Sequence, residues 1–403
     1  MTLTVGIAAE SYPDETRVAL TPEAASTLNR NGLHALLQAG AGAEAGFPDA
    51  TYAERDVEIV RDRAGLFERS DVLLQVRTHG ANPQNDEDLG LVRPGQILIG
   101  MCDALDGTEA ISLLAQTGAT VFAMELIPRI TRAQSMDVLS SMATIAGYKG
   151  VLLAATSLPR MFPLLMTAAG TVTPARVLVV GAGVAGLQAI ATAKRLGAVV
   201  LSYDIRPAVK EQVESLGAQF VELGLEAADA EDAGGYATAQ KDDFYRRQQV
   251  ALAAVVADCD VVVTTAAIPG KTAPILITKQ MVEGMSAGSV VVDLAAERGG
   301  NCECTTPGET VFVDGVRVMG PIDVPASVPF HASQMYSHNV GEFLKHLVRD
   351  GEVSLDTGED EIIRETLVAR DGRIVHPRVL EALGERVAAG STYPLQPSGT
   401  TLS

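Results

Sequence analysis

Apolar residues in this chain come in short continuous runs, and polar segments of helical period fill the intervals between them. In the first 125 residues the runs are Thr4 to Ala8, His34 to Gln38, Val72 to Val76, Gln96 to Met101 and Thr120 to Met124. Unbroken apolar runs of this length suit strands buried on both faces, as in parallel sheets. A second series begins at Val177 to Val180 and continues through Val199 to Tyr203, Ala218 to Leu223, Asp260 to Thr265 and Ser289 to Leu294, with a pair at Thr310 to Val313 and Val316 to Met319. The apolar stretch from Tyr148 to Thr171 and the segment Ser333 to Arg349 predict helices, and Glu365 to Pro377 forms a further run. Two such series predict an α/β protein of two Rossmann-like, doubly wound parallel-sheet domains with an interdomain cleft where a ligand would sit. The expected divisions are 1–136, completed by 327–384, then 137–326, with a disordered tail at 385–403, rich in Ser, Thr, Gly and Pro.

The second series opens on Arg176-Val-Leu-Val-Val-Gly-Ala-Gly-Val-Ala-Gly186. Val177 to Val180 is the strand, and Leu187 to Gly197 continues as a helix. In this context Gly181 permits the sharp turn, Gly183 lets backbone N–H groups approach a pyrophosphate, and Gly186 lets helix and strand pack closely. The helix N-terminus then faces the phosphates. Asp204 ends the next strand, where its carboxylate would accept both ribose hydroxyls of an adenosine and repel a 2′-phosphate, favouring NAD(H) over NADP(H). Arg206 opposes that preference, since an arginine there is able to pair with phosphate.

Composition narrows the classes. The formal net charge is −19 over 403 residues, which argues against nucleic-acid binding, a function that needs a basic face, and against electrostatic adhesion to anionic lipid. Leu164 to Val172 and Val290 to Ala296 are too short to span a bilayer, and the N-terminus lacks the pattern of a secretory signal, so the chain reads as soluble by itself. Four cysteines suggest no disulfide framework, and one residue between Cys302 and Cys304 suits neither a zinc site nor a redox pair. The histidines show no ligand repeat, so no metal is expected. Glu226 to Arg247, polar and carrying Ala-Gly-Gly-Tyr at 233–236, is a hinge or lid candidate or an ordinary surface excursion.

Pro128 to Ser141 is an unusually polar approach to a helix. Gln134, Asp137 and Ser141 fall at i, i+3 and i+7, with Ser140 beside them and Arg129 just before, so one helical face would present several hydrogen-bonding groups. Such a face would suit a nicotinamide carboxamide and ribose. A helix start capped by Thr131 or Ser135, with solvated polar groups, accounts for the same residues.

Across nearly its whole length the chain resembles the NAD(H)-binding domain I of proton-translocating NAD(P) transhydrogenase, within the wider alanine dehydrogenase and transhydrogenase group. The matching stretches are Glu15 to Pro22, Pro128 to Ser141, Met166 to Val172, Gly181 to Gly197, Lys210 to Gly217, Gly234 to Ala237, Ile268 to Lys271, Gly299 to Cys302 and Arg370 to Pro377. The resemblance implies that Arg129, Asp137 and Ser140 fix the nicotinamide carboxamide and that Gln134 bridges toward a second nucleotide. It implies a pyrophosphate turn at Gly181, Gly183, Val184 and Ala185, beside Gly186, and an adenosine pocket at Asp204, Ile205 and Arg206. Gly235 and Tyr236 match a loop that closes over nucleotide, although Thr238 departs from its usual basic residue, and Gln248 and Ala267 match further contacts.

Alanine dehydrogenases of the same group need a lysine and a histidine to handle a keto acid and its amine. Aligned by strands, those positions here carry Arg77 and Asp103. Arginine is not a tunable acid or base, and aspartate reverses the charge of a protonated histidine, which argues against amino-acid dehydrogenation. Arg17, which would hold a substrate carboxylate in those relatives, is expected to serve structure. The resemblance thus implies a transhydrogenase of the Si–Re type. NAD(H) would be bound by this chain and NADP(H) by a partner domain, with membrane-spanning partners carrying protons, a homodimer, and a cytoplasmic location at the inner face of the membrane. The rivals are a dehydrogenase acting alone on a small amino or keto acid and a non-catalytic NADH-binding regulatory module.

Overall fold

The computed structural model describes residues 2–83, 85–224, 242–267, 270, 272–349, 351–355 and 357–388. The chain divides into two compact units, one of Met1–Leu139 with the chain from Pro329, the other of Ser140–Val328.

The first unit is built on an eight-stranded sheet. Its order is Arg373–Ile374, Leu367–Arg370, Thr120–Ala123, Ile97–Met101, Val72–Arg77, Thr4–Ile7, His34–Gln38, Glu58–Val60. The six strands from the N-terminal part pair in parallel, and order reverses between Thr4–Ile7 and Val72–Arg77, the doubly wound pattern. Leu367–Arg370 returns antiparallel to Thr120–Ala123. Val72, Leu73, Leu74 and Val76 are all fully buried, each such side chain contributing roughly 1.5–3 kcal/mol on leaving water. The run Glu365 to Pro377 therefore holds a hairpin, Leu367–Arg370 with Arg373–Ile374. The long helix begins at Pro329 and ends at Leu347, earlier at both ends than the sequence pattern suggested. Helix Pro377–Ala388 crosses 385–388, so regular structure continues where the composition had suggested a tail.

The second unit holds a seven-stranded sheet, ordered Gln219–Phe220, Val199–Tyr203, Arg176–Val180, Val261–Thr264, Val290–Asp293, Val316–Met319, Thr310–Val313. All pairs are parallel except the last. Val177 and Val179 face one apolar layer with Ala189, Ile190 and Ala193 of helix Val184–Arg195. Leu178 and Val180 face the other, with Leu252 and Val256 of helix Asp242–Ala257. Burial on both faces is why this strand reads as a continuous valine–leucine run.

Two expectations about the connecting region change. The stretch Tyr148 to Thr171 is not one helix: helix Val138–Ser157 stops before Pro159, and after Pro163 an exposed hairpin of Leu165–Thr167 and Gly170–Val172 follows. Proline lacks the N–H and the conformational room to continue a helix. Helix Val138–Ser157 is also long and apolar enough to cross a membrane by length and composition, which the sequence pattern had not singled out. Val151 and Ala154 lie fully buried in a core layer of the second unit. A Cβ on Gly147 would lie 2.0 Å from the Ala185 carbonyl oxygen, so the helix backbone presses directly on a neighbour, as core helices do.

Candidate functional site

At the C-terminal edge of the second sheet the three glycines have different surroundings. Gly181 takes φ +99°, a left-handed turn open to glycine, and its N–H donates to the Tyr203 carbonyl at 2.8 Å. A Cβ on Gly186 would sit 1.8 Å from the Gly181 carbonyl oxygen, so no side chain fits there. Gly183 is the N-cap of helix Val184–Arg195 with φ −74° and no side-chain cap, and a Cβ there would meet nothing within 4 Å. The uncapped first turn leaves N–H groups of a positive helix end at that open space. Val184 is exposed, Ala185 half-buried.

Asp204, 8% exposed, stands after the neighbouring strand. Its Oδ2 accepts from Ala182 N at 2.7 Å and Arg206 Nη2 at 2.8 Å, and its Oδ1 accepts from Arg206 N at 2.8 Å and Nε at 2.9 Å. Arg206 is thus a fork on Asp204, and the carboxylate's acceptor sites are taken. Ile205 packs on the apolar layer beneath. Gln248 is fully buried, and both polar atoms of its side chain, with the buried Ser202 hydroxyl, lack a hydrogen-bond partner among the described residues. Orphaned buried polar groups are costly unless something completes them. Ala267 is exposed beyond strand Val261–Thr264. Gly235 and Tyr236 lie outside the described residues, as does most of the expected lid.

The polar approach segment differs from the single α-helical face expected of it. Residues Thr131–Met136 form a 3₁₀ helix, Asp137 breaks it with ψ 92°, and the α-helix starts at Val138. Ala133 and Met136, three apart, are buried, and Asn339 Nδ2 donates to the Ser135 carbonyl at 2.7 Å. In a three-residue turn Gln134 and Asp137 align, while Ser140 and Ser141 belong to the separate helix. Arg129 and Gln134 are exposed, Asp137 and Ser140 half-buried.

In the first unit, Arg17 is 2% exposed and donates through Nε and Nη2 to Glu15 at 2.6 and 2.5 Å. Arg77 Nε reaches the same carboxylate at 2.9 Å, and its guanidinium lies 4.3 Å over the Tyr12 ring. Burial pushes the Glu15 carboxyl up, but Arg17 and then Arg77 hold it below the ordinary carboxylate range. Arg17 is therefore engaged by a carboxylate of the chain itself. Asp103 occupies a left-handed turn, φ 49°. Among the described residues no group of three or more His, Cys, Asp or Glu is placed to hold a metal ion.

Residues 6–146 match the family described as alanine dehydrogenase/PNT, N-terminal domain, and residues 150–377 its C-terminal domain. The chain belongs to the alanine dehydrogenase/PNT family. Within that family it is 44% identical over 375 residues to an NAD(P) transhydrogenase subunit alpha polypeptide of Rhodospirillum rubrum, covering 93% of this chain and 98% of the relative. Among solved structures it is similar to transhydrogenase from Sinorhizobium meliloti, with TM-score 0.80, 42% identity, and coverage of 93% and 99%. An L-alanine dehydrogenase structure matches with TM-score 0.78 at 25% identity, covering 95% of this chain and 99% of that one. The alanine dehydrogenase/PNT family thus contains two activities on one architecture, and the choice between them rests on side chains.

Sequence reasoning missed Thr265, whose hydroxyl bonds the Gly181 carbonyl, and Asn301 and Asp293, which hold the adjoining loop. The signal lies in the Gly-Gly-Asn of 299–301, where two consecutive glycines mark a tight turn.

Proposed function

We propose that this chain is the NAD(H)-binding component of a proton-translocating transhydrogenase. It would work with an NADP(H)-binding partner and membrane-spanning partners, as a homodimer, at the inner face of the membrane. The observation that carries the nucleotide-binding part of this reading is the contrast among the glycines: Gly181 and Gly186 are demanded by backbone geometry, whereas Gly183 leaves a space that a Cβ would fill. Gln248, whose side-chain polar atoms lack a hydrogen-bond partner among the described residues, fits the same ligand.

The residues that would hold the dinucleotide are Gly181 to Gly186 for the pyrophosphate, Asp204, Ile205 and Arg206 for the adenosine, and Gln248 and Ala267 beside them. Arg129, Asp137 and Ser140 would orient the nicotinamide, with Gln134 toward the second nucleotide. When bound, the reduced nicotinamide supplies a hydride, with its electron pair, to C4 of NADP⁺ held by the partner. No proton changes hands in that transfer, so these side chains act by orientation and exclusion of water rather than as acid or base. The commitment of Arg17 to Glu15, and the arginine at position 77, argue against the keto-acid chemistry of a dehydrogenase acting alone.

Arg129→Ala and Gln134→Asn should leave folding intact and NADH affinity only moderately changed while slowing transhydrogenation at least about tenfold with reconstituted partners. Turnover equal to the parent's would overturn the assignment. Turnover of alanine, or of pyruvate with ammonia, by the isolated chain would favour the dehydrogenase.

A further inference from the structure

Strand order places two loops on either side of the glycine turn. Asp204 follows the strand on one side of Arg176–Val180, and Thr265 and Ala266 follow Val261–Thr264 on the other. The Thr265 hydroxyl donates to the Gly181 carbonyl at 3.1 Å, so this second loop touches the turn itself. A dinucleotide lying across the turn with its adenosine at Asp204 must extend its other half over Thr265 to Ala267.

Asn301 fixes that loop, itself fully buried. Its Oδ1 accepts from Ala266 N at 2.9 Å, and its Nδ2 donates to the carbonyls of Ala266 at 2.8 Å and Pro274 at 2.9 Å. Its own carbonyl accepts from Leu276 N at 2.8 Å and Ile277 N at 2.9 Å. One residue therefore binds the backbone at both ends of the segment from Ala266 to Ile277.

Asn301 is in turn held by the fully buried Asp293. Asp293 Oδ2 accepts from Asn301 N at 2.7 Å, Cys302 N at 2.9 Å and the Thr305 hydroxyl at 2.7 Å. Its Oδ1 accepts from the Thr264 hydroxyl at 2.9 Å and Ala295 N at 3.0 Å. Gly299 and Gly300 have φ +93° and +81°, and a Cβ on Gly300 would lie 2.7 Å from Asp293 Oδ2. The Gly-Gly-Asn sequence is thus what lets the chain wrap around this carboxylate.

We infer that Asn301, anchored by Asp293, is a positioning residue that sets the Ala266–Ala267 backbone for the nicotinamide-side half of the dinucleotide. The inference rests on the nucleotide-binding reading above. Asn301 contacts no ligand; it acts through Ala266, so its loss leaves the adenosine side at Asp204 as it was.

The test is calorimetric titration of the full chain with NADH and with 5′-AMP, comparing the parent with Asn301→Ala. Amide hydrogen exchange at Ala266 is followed in both. NADH affinity should fall about tenfold, the scale of losing buried hydrogen bonds, with AMP affinity unchanged and Ala266 exchanging faster. Unchanged NADH affinity, or a parallel fall for AMP, overturns the inference, the latter by showing a general loss of structure. Asn301→Ser, smaller in perturbation, must show the same split if Asn301→Ala fails to fold, and a parallel loss there also overturns it. A parent chain that binds AMP and NADH poorly alike sinks the nucleotide reading itself, an outcome distinct from a variant that behaves like a competent parent.

Discussion

Replacing Gly183 by alanine separates what the fold requires from what a ligand requires. Its backbone, φ −74° and ψ −169°, is accessible to any L-residue. The added methyl would meet no atom within 4 Å. The folded state therefore suffers no clash, and the loss of backbone freedom in the unfolded chain stabilises the protein by about 0.4–1 kcal/mol. A pyrophosphate brought against the helix N-terminus would meet that methyl, and overpacking of this kind costs roughly 1–3 kcal/mol. At about 1.4 kcal/mol per decade, that is a fall of about 5- to 140-fold in NADH affinity. Gly186→Ala supplies the contrast, since its methyl would stand 1.8 Å from a backbone carbonyl oxygen and must displace the helix start. Thermal unfolding and NADH titration of both variants are the assay. If Gly183→Ala binds NADH as the parent does, the space above Gly183 is not the pyrophosphate site.

Glu15→Gln should destabilise the first unit by about 3–5 kcal/mol, the usual result of breaking a buried ion pair, because Arg17 and Arg77 lose a shared carboxylate; an unchanged urea midpoint would contradict this. The Glu10 carboxyl is pushed up from 4.5 to about 8 by burial and then by repulsion from Glu15, against N–H donation from Val76 and Arg77. Its raised value in the folded state means that stability from this group is whole below pH 4.5 and declines as pH rises through about 8. Melting temperatures of the parent should fall relative to Glu10→Gln across that window, and parallel curves would refute the assignment. Asp204→Asn should narrow the preference for NADH over NADPH, since it removes the charge that repels a 2′-phosphate and frees the Arg206 fork; calorimetry with both nucleotides reads the ratio, and no change in it counts against the adenosine site.

Much of the architecture was legible because parallel strands buried on both faces leave runs such as Val177 to Val180 and Val290 to Val292, which little else produces in a packed core. Glu58–Val60 was not, being three residues at a sheet edge of which only Val60 is buried. The polar segment around Gln134 was legible in composition and not in geometry. A 3.6-residue period would put Gln134, Asp137 and Ser141 on one face, whereas burial of Ala133 and Met136 and the bond from Asn339 impose a three-residue turn. That bond comes from a helix some two hundred positions away in sequence, so no local pattern carries it. The hub at Asp293 was hidden for a related reason: a lone aspartate ending an apolar strand looks like any strand terminus until Gly299 and Gly300 bring the chain back around it.

Under the proposed function, a hydride passing between two rings without acid or base would make its whole demand on placement, and the second unit holds a loop on each side of its glycine turn through buried polar groups. On one side of the glycine turn Asp204 is held by Arg206, and on the other Ala266 is held by Asn301, which Asp293 holds in turn. The two clamps differ in kind. Asn301 grips backbone and is fully buried, so it serves as a fixed floor. Arg206 grips the carboxylate that a ribose diol would need, so nucleotide entry on that side must exchange charge-assisted bonds for hydroxyl bonds. Such an exchange would lower adenosine affinity without loosening the nicotinamide side, as the proposed hydride donor, which must hold its ring still and yet let the spent nucleotide go, would require.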